Sequence, residues 1–435
     1  MKATPYKKIL ITFFALGSWL VVISQQYPDS LLRYLEIAAK NNPAVLQKFT
    51  GYQAALQRIP QVGSLPDPQL SLGVFLKPME LVSGNQVADI RLMQMFPWFG
   101  VLKSAKDEMS LMANAKFELF RDAKLQVFYD VQRTWYELYK VQKDISISEK
   151  NIEILKIIER LALVRFKAAS PMQIGSMGTS TGGSGLADIF RIQIEAGDLE
   201  NKIALLKNQQ NTIMAQFNTY LNRPVTSQVF TAEILTRDSL GLSLIFVSDS
   251  MLANNPMLGM LEFEKQSLEA RKKMVTRMGY PMVGLGLNYS LISKNAMSTS
   301  SMNGKDMIMP MVTVTLPIYR KKYNAMQTEA DLLKTATSQN YQATANSLQT
   351  EYYQAVQLYQ DAQRRVKLYE NQYQLASKSL DLILKSFSTS SSGLTDVLRV
   401  RQQTLDYELK QVEAVADLNT SIAWLKRLMA FSQIK

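Results

Sequence analysis

Apolar residues recur along much of the chain at alternating intervals of three and four, the spacing of helices packed in a left-handed coil. Glu, Lys, Gln and Asn fill most other positions, which predicts amphipathic helices with one face in water. At a rise of about 1.5 Å per residue, each helical arm would be roughly 100 Å long. The seam positions are Phe128, Val131, Trp135, Leu138, Ile145, Ile152 and Leu155 in an arm ending near Phe166, and Val366, Tyr369, Tyr373, Ala376, Leu380, Ile383 and Phe387 in a second arm.

Four shorter segments alternate apolar and polar residues and are predicted to be β-strands. They cover Gln69 to Leu76, a segment ending at Phe96, Met282 to Ile292, and a segment ending at Leu316. Pro310 has no N–H for a strand ladder, so we expect the last strand to begin after it. One apolar and one polar face suit either a half-buried soluble sheet or a transmembrane barrel wall. Four strands cannot close a barrel, so a membrane role requires several chains.

These elements occur twice in the same order, which indicates a tandem duplication. The phrase Asn41-Asn42-Pro43 returns as Asn254-Asn255-Pro256, and Leu186 to Arg191 returns as Leu394 to Arg399. The fold class is therefore mainly α with β. We expect a first repeat at 25–240, with a strand hairpin at about 69–96 and a long helical hairpin at about 98–222. The second repeat is expected at 241–435, with the corresponding hairpins at about 282–317 and about 320–432.

The first residues have the pattern of a secretory signal peptide. Lys2, Lys7 and Lys8 precede an uncharged apolar run from Ile9 to Ile23, so we expect a signal peptide at 1–24. Beyond it, no window of about 18 uncharged apolar residues recurs, and a membrane crossing would have to use strands.

The amino-acid composition further limits the kinds of reaction and binding site that the protein could have. The chain has no Cys and no His, which removes disulfides and most metal-hydrolase or nucleophile–base arrangements, so no enzyme and no cofactor are expected. The formal charge of +12 is interleaved along helices and does not form a stripe, which argues against nucleic-acid binding. Thioethers bind Cu(I), but methionine is also an adaptable apolar filler, and the sequence assigns no metal site. The methionines concerned are Met297, Met302, Met307, Met309 and Met311.

Three phrases resemble those of TolC-like outer-membrane efflux proteins over essentially the whole mature chain. They are Leu65-Pro66-Asp67-Pro68, Phe96-Pro97-Trp98-Phe99-Gly100 and the repeated turn phrase that contains Asp188 and Asp396. The first two are similar to the branch that serves heavy-metal resistance-nodulation-division pumps. The resemblance implies a homotrimer whose chains share a twelve-stranded barrel in outer-membrane lipid above a coiled-coil tunnel in the periplasm. It also implies a periplasmic adaptor as a partner and, indirectly, an inner-membrane pump.

In this family the polar turns at the tunnel tips dock the adaptor and open the gate. Carried over to this sequence, the gate and docking residues are Gly185, Leu186, Asp188 and Arg191 in the first repeat, and Gly393, Leu394, Asp396 and Arg399 in the second. Three copies of Asp396 would gather cations at the constriction. Arg399 stands where some members have a second Asp, so a closed state in which Arg399 or Arg191 pairs with a neighbouring chain is an alternative. The aspartates could also simply stabilise helix N-termini.

The predicted function is a passive exit duct of a tripartite efflux pump, conducting heavy-metal ions or drugs. The first alternative is an outer-membrane channel for type I protein or peptide secretion, with the same fold. The second is an exported coiled-coil scaffold without a pore, which would leave the four alternating strands unexplained.

Overall fold

The computed structural model describes residues 31–168, 182–240, 244–389 and 393–431, so the expected signal peptide lies outside the described residues. The first set of elements is α1 (Leu31–Asn41), α2 (Pro43–Gly63), β1 (Gln69–Leu81), β2 (Gly84–Phe96), α3 (Val101–Ala168) and α4 (Gly182–Tyr220). The second set repeats that order as α5 (Leu244–Asn254), α6 (Pro256–Met278), β3 (Met282–Ser293), β4 (Met307–Thr315), α7 (Arg320–Ser388) and α8 (Leu394–Leu428).

The repeated Asn-Asn-Pro phrase starts one helix in each repeat. The Asn42 side chain accepts hydrogen bonds from the backbone N–H groups of Ala44 (2.9 Å) and Val45 (3.3 Å). The Asn255 side chain accepts one from the N–H of Met257 at 2.9 Å. In both helices proline follows in the first turn, where its missing N–H costs nothing. The sequence echo therefore encodes the same helix start twice.

The four strands form one antiparallel sheet in the order β1-β2-β3-β4. The prediction that the last strand begins after Pro310 was wrong, because β4 begins at Met307 and Pro310 pairs with Leu287. In the part of the chain that the structure describes, β4 is an edge strand that pairs only with β3. An edge strand tolerates proline where the missing N–H lies on its unpaired side.

The helical arms hold the apolar core along the predicted seam. Leu138 and Leu155 of α3 are fully buried, and so is Ile422 of α8. α3 packs against α2, α4, α6 and α8, whereas α7 packs against α6 and α8. One apolar cluster joins α3 and α4 to the start of α8, and a second joins the middle of α7 to the end of α8. Helix α8 thus ties the two repeats together.

Candidate functional site: an outward-facing apolar sheet and the helix tips

The sheet presents its apolar side to the outside. Residues paired across antiparallel strands lie on the same face, and Leu70 pairs with Leu92, which in turn pairs with Leu287. Leu72 is 69% exposed and Val312 is 71% exposed. A continuous exposed apolar surface of this kind marks contact with a membrane or with another protein. Its members are Leu70, Leu72, Val74, Leu92, Leu285, Leu287, Leu291, Ile308, Val312 and Val314.

The opposite face carries polar side chains, and those in the middle of β3 are covered. Asn288 and Ser290 of β3 are buried, and the Asn288 amide donates to the Ser290 hydroxyl at 3.4 Å. The side-chain oxygen of Asn288 is buried and makes no hydrogen bond to the described residues. The sheet is therefore apolar outside and polar inside, the reverse of a soluble domain.

The loop between β3 and β4 closes over the β1–β2 turn at one end of the sheet. The backbone N–H of Gly304 donates to the carbonyl of Ser83 at 2.9 Å, and the Ser298 hydroxyl donates to the carbonyl of Val82 at 2.7 Å. Gly84, which ends the turn, has φ = +120°, a conformation that favours glycine. These bonds join the strand hairpins of the two repeats.

Aromatic and basic side chains mark the other end of the sheet, where strands become helices. The rings of Trp98 and Tyr280 stack with centroids 5.3 Å apart, while Phe99 and Tyr319 are largely exposed. The Arg277 guanidinium donates to the Gly100 carbonyl at 3.0 Å and so holds the sharp β2–α3 bend. Exposed basic residues follow at 320–322. Aromatic residues beside basic ones are typical of a membrane–water boundary.

At the second helix tip the predicted residues lie at the start of α8. Gly393 precedes the helix in an extended conformation, and Leu394 is buried. Asp396 lies in the first turn, where a negative charge stabilises the helix dipole. The Arg399 guanidinium contacts the Asp396 carboxylate at 3.0 Å, and both side chains are at least half exposed. The structure pairs Arg399 within its own helix, and a link to a neighbouring chain stays a prediction.

The first tip contacts the second. The Arg191 guanidinium of α4 donates to the Thr395 hydroxyl of α8 at 2.9 Å, which joins the two repeated phrases. A Cβ at Gly185 would lie 2.9 Å from the Phe166 ring, so glycine permits a close approach of α4 to the end of α3. Leu186 is 46% exposed and Asp188 is half-buried.

Sequence reasoning missed the ion pair below these tips. Arg401 of α8 is 2% exposed and contacts the Glu195 carboxylate of α4 at 2.6 Å. Burial lowers the pKa of the Arg401 guanidinium, and Glu195 opposes that shift. The Nε and Nη1 atoms of Arg401 find no hydrogen-bond partner among the described residues. The signal was an arginine on the buried seam of α8, seven residues after Leu394, but its partner lies in the other repeat.

The functional features described above are exposed surfaces and ion pairs. Within them, no group of three or more Asp, Glu, His or Cys side chains is placed to hold a metal ion. Nor does any helix in the described ranges combine the length and hydropathy needed to cross a membrane.

Comparisons with known proteins agree with this geometry. Residues 247–430 match the family model described as "Outer membrane efflux protein", which agrees with the resemblance in the second repeat. No curated protein sequence matches the chain.

Solved structures match the fold of nearly the whole chain. The chain is 12% identical to CusC, whose structures are described as showing transmembrane channel formation, with 93% and 92% of the two chains covered and a TM-score of 0.72. It is 14% identical to the Vibrio cholerae outer membrane protein VceC (92% and 97% covered, TM-score 0.71). It is 15% identical to the open Neisseria gonorrhoeae MtrE outer membrane channel (92% and 88% covered, TM-score 0.70). At these identities the likeness shows the fold.

Proposed function

Because the second repeat matches the outer membrane efflux protein family and the chain has the fold of outer membrane channels, we propose that this protein is the outer-membrane exit duct of a tripartite efflux pump. Substrates would pass through its lumen without chemical change, driven by a pump in the inner membrane.

The observation that carries the proposal is the inverted sheet. One side presents large exposed aliphatic residues, and the opposite side carries the polar ones, of which those in the middle of β3 are buried. In water such a surface drives aggregation, whereas in lipid it is the outer wall of a barrel. The scaffold alternative gives this surface no role.

Closure of the barrel requires copies of the chain. Among the described residues the sheet has four strands, and β1 and β4 each lack a partner strand on one side. An open strand edge is not tolerated within a bilayer, because every backbone N–H and C=O there needs a partner. Three chains, with β4 of one beside β1 of the next, would give the twelve-stranded barrel implied by the family resemblance, with one ladder bond missing at Pro310, which has no N–H. The aromatic and basic residues near Trp98 and Tyr319 would then sit at the inner boundary of the membrane.

Below the sheet, the helical arms of three chains would enclose a periplasmic tunnel. The tips carrying Gly185, Leu186, Asp188 and Arg191, and Gly393, Leu394, Asp396 and Arg399, are proposed to dock the periplasmic adaptor and to form the gate. Within one chain the Arg191–Thr395 contact already couples the two tips, which supports a gate that moves as one unit. Heavy-metal ions remain the substrate class favoured by the phrases near Pro66 and Pro97.

Single-channel conductance in a planar bilayer tests this proposal. We compare the purified wild-type oligomer with the double variant Asp396→Ala/Arg399→Ala. Small cation-selective currents in the wild type that increase in the variant would support a duct gated at the second tip. If a preparation that folds and assembles shows no conductance, the duct is excluded, and the coiled-coil scaffold becomes the favoured hypothesis.

A further inference from the structure

The polar face of the sheet also carries a group of methionines that the sequence separates by about two hundred residues. Met93 and Met95 lie on β2, and Met311 lies on β4. The strand register sets Met93 and Met311 on either side of Gly286 of β3. The next row places Met95 beside Gly284. All of these residues therefore share the face that points away from the exposed aliphatic surface.

The two glycines make room for the thioethers. A Cβ at residue 284 would lie 2.6 Å from Sδ of Met95 and 3.1 Å from Sδ of Met93, so both sulfur atoms converge over this glycine. A Cβ at residue 286 would lie 3.0 Å from Sδ of Met93. Any side chain at these positions would push the sulfurs apart. The glycines thus hold the two thioethers as close neighbours on the covered face.

We propose that Met93 and Met95, with Met311 as a third donor, form a binding site for a soft monovalent cation such as Cu(I) or Ag(I). Thioether sulfur is a soft ligand that selects such ions over Mg²⁺, Ca²⁺ or Zn²⁺. A neutral site releases its ion more readily than a thiolate site, which suits an ion in transit. The inference rests on the proposed function, because this face lines the conduit only when the sheets close a barrel.

A second observation on the same face supports the assignment. Asn288 lies two residues after Gly286 on the same face of β3. It pairs with Arg91 of β2 and Met309 of β4. Its side-chain oxygen is buried and accepts no hydrogen bond from the described residues. A buried acceptor without a donor is rare, and a cation or a water bound to a cation would satisfy it.

Silver binding tests the proposal, with chloride-free AgNO3 as the probe and isothermal titration of the purified oligomer as the measurement. We expect about one strongly bound Ag(I) per chain and a silver X-ray absorption spectrum with sulfur neighbours. The variant Met93→Leu/Met95→Leu keeps the apolar volume and should bind at least about tenfold more weakly. Gly284→Ala retains every thioether, but its added methyl group would push the Met93 and Met95 sulfurs apart, and it should also weaken binding.

The matched control is Met297→Leu/Met302→Leu, which removes two thioethers from the exposed β3–β4 loop and should bind silver like the wild type. Equal binding by the wild type and Met93→Leu/Met95→Leu, in preparations that conduct in a bilayer, would overturn the site and leave the duct standing. Silver binding that is lost in this variant while conductance persists would support both. If no assembled preparation conducts, the proposed duct fails, and with it the transit role of the site.

Discussion

The helical arms and the four-stranded sheet bury opposite kinds of side chain. Leu138 and Leu155 of α3 are inaccessible to solvent, whereas Leu72 and Val312 of the sheet are more than two-thirds exposed. On the sheet it is Asn288 and Ser290 that are covered. The helical arms therefore bury apolar side chains, as a water-soluble bundle does, whereas the sheet exposes apolar side chains and buries polar ones. These opposite patterns of burial indicate that the two regions contact different surroundings.

The largest expected effect lies in the core of the arms. Leu138→Ala should lower the free energy of unfolding by about 2–5 kcal/mol, because it removes buried methyl groups and leaves a cavity. Thermal or denaturant unfolding of the helical signal measures the change. Leu138→Met, which nearly conserves volume, is the control and should cost less than about 1.5 kcal/mol. An equal loss of unfolding free energy in both variants would show that Leu138 does not pack in a core.

The next substitution tests the reversed region. Leu287→Arg in the middle of β3 should destabilise the membrane-inserted state by about 2–4 kcal/mol, since arginine is costly on the lipid face of a barrel. The measurement is the fraction of heat-resistant oligomer in isolated outer membranes. Thr313→Arg on the opposite face should be tolerated much better. If Leu287→Arg assembles like the wild type, the exposed face is in water and the contrast between the two regions disappears.

The Arg401–Glu195 pair is an exception within the arms, because it places a charge in their apolar core. Glu195→Gln should destabilise the protein by about 1–3 kcal/mol, since it leaves a buried guanidinium without its counter-charge. Arg401→Met should be close to neutral or stabilising, because Glu195 is partly exposed and the new side chain is apolar. Denaturant midpoints measure both. A larger loss for Arg401→Met than for Glu195→Gln would contradict this account.

The smallest expected effect is a pH dependence inside the arms. Burial raises the pKa of Asp144 to about 6, with Lys140 and Lys202 opposing the shift and Glu413 adding to it. A carboxyl pKa raised from 3.8 to about 6 favours folding at low pH, so this contribution is lost progressively as the pH rises between those two values. Asp144→Asn should therefore raise the melting temperature at pH 8 and change it little at about pH 3, below both pKa values.

The matched control for that prediction is Asp406→Asn, a carboxylate that is about half exposed and paired with Lys410 in its own helix. It should show no comparable gain at pH 8. An identical pH profile for wild type and Asp144→Asn would remove Asp144 as the source of the effect.

Much of the fold was predictable because its signals are local. The seam residues from Phe128 to Leu155 are buried as their spacing predicted, and the Asn42 and Asn255 phrases start equivalent helices. The first residue of β4 was mispredicted, since whether Pro310 is tolerated depends on the strand being at an edge. Glu195 and Arg401 are 206 residues apart in sequence, and no local pattern connects them.

The element types, the duplication and the two faces of each strand could be predicted from local patterns, because helix and strand periods and proline or asparagine caps act over a few residues. Three features became visible only in the folded chain: the exposed strand face, the contact of the two tips through Arg191 and Thr395, and the convergence of Met93 and Met95 over Gly284. These features depend on strand register and helix packing between the two repeats. Such contacts form between residues far apart in the chain, where hydrophobic spacing carries no information about partners.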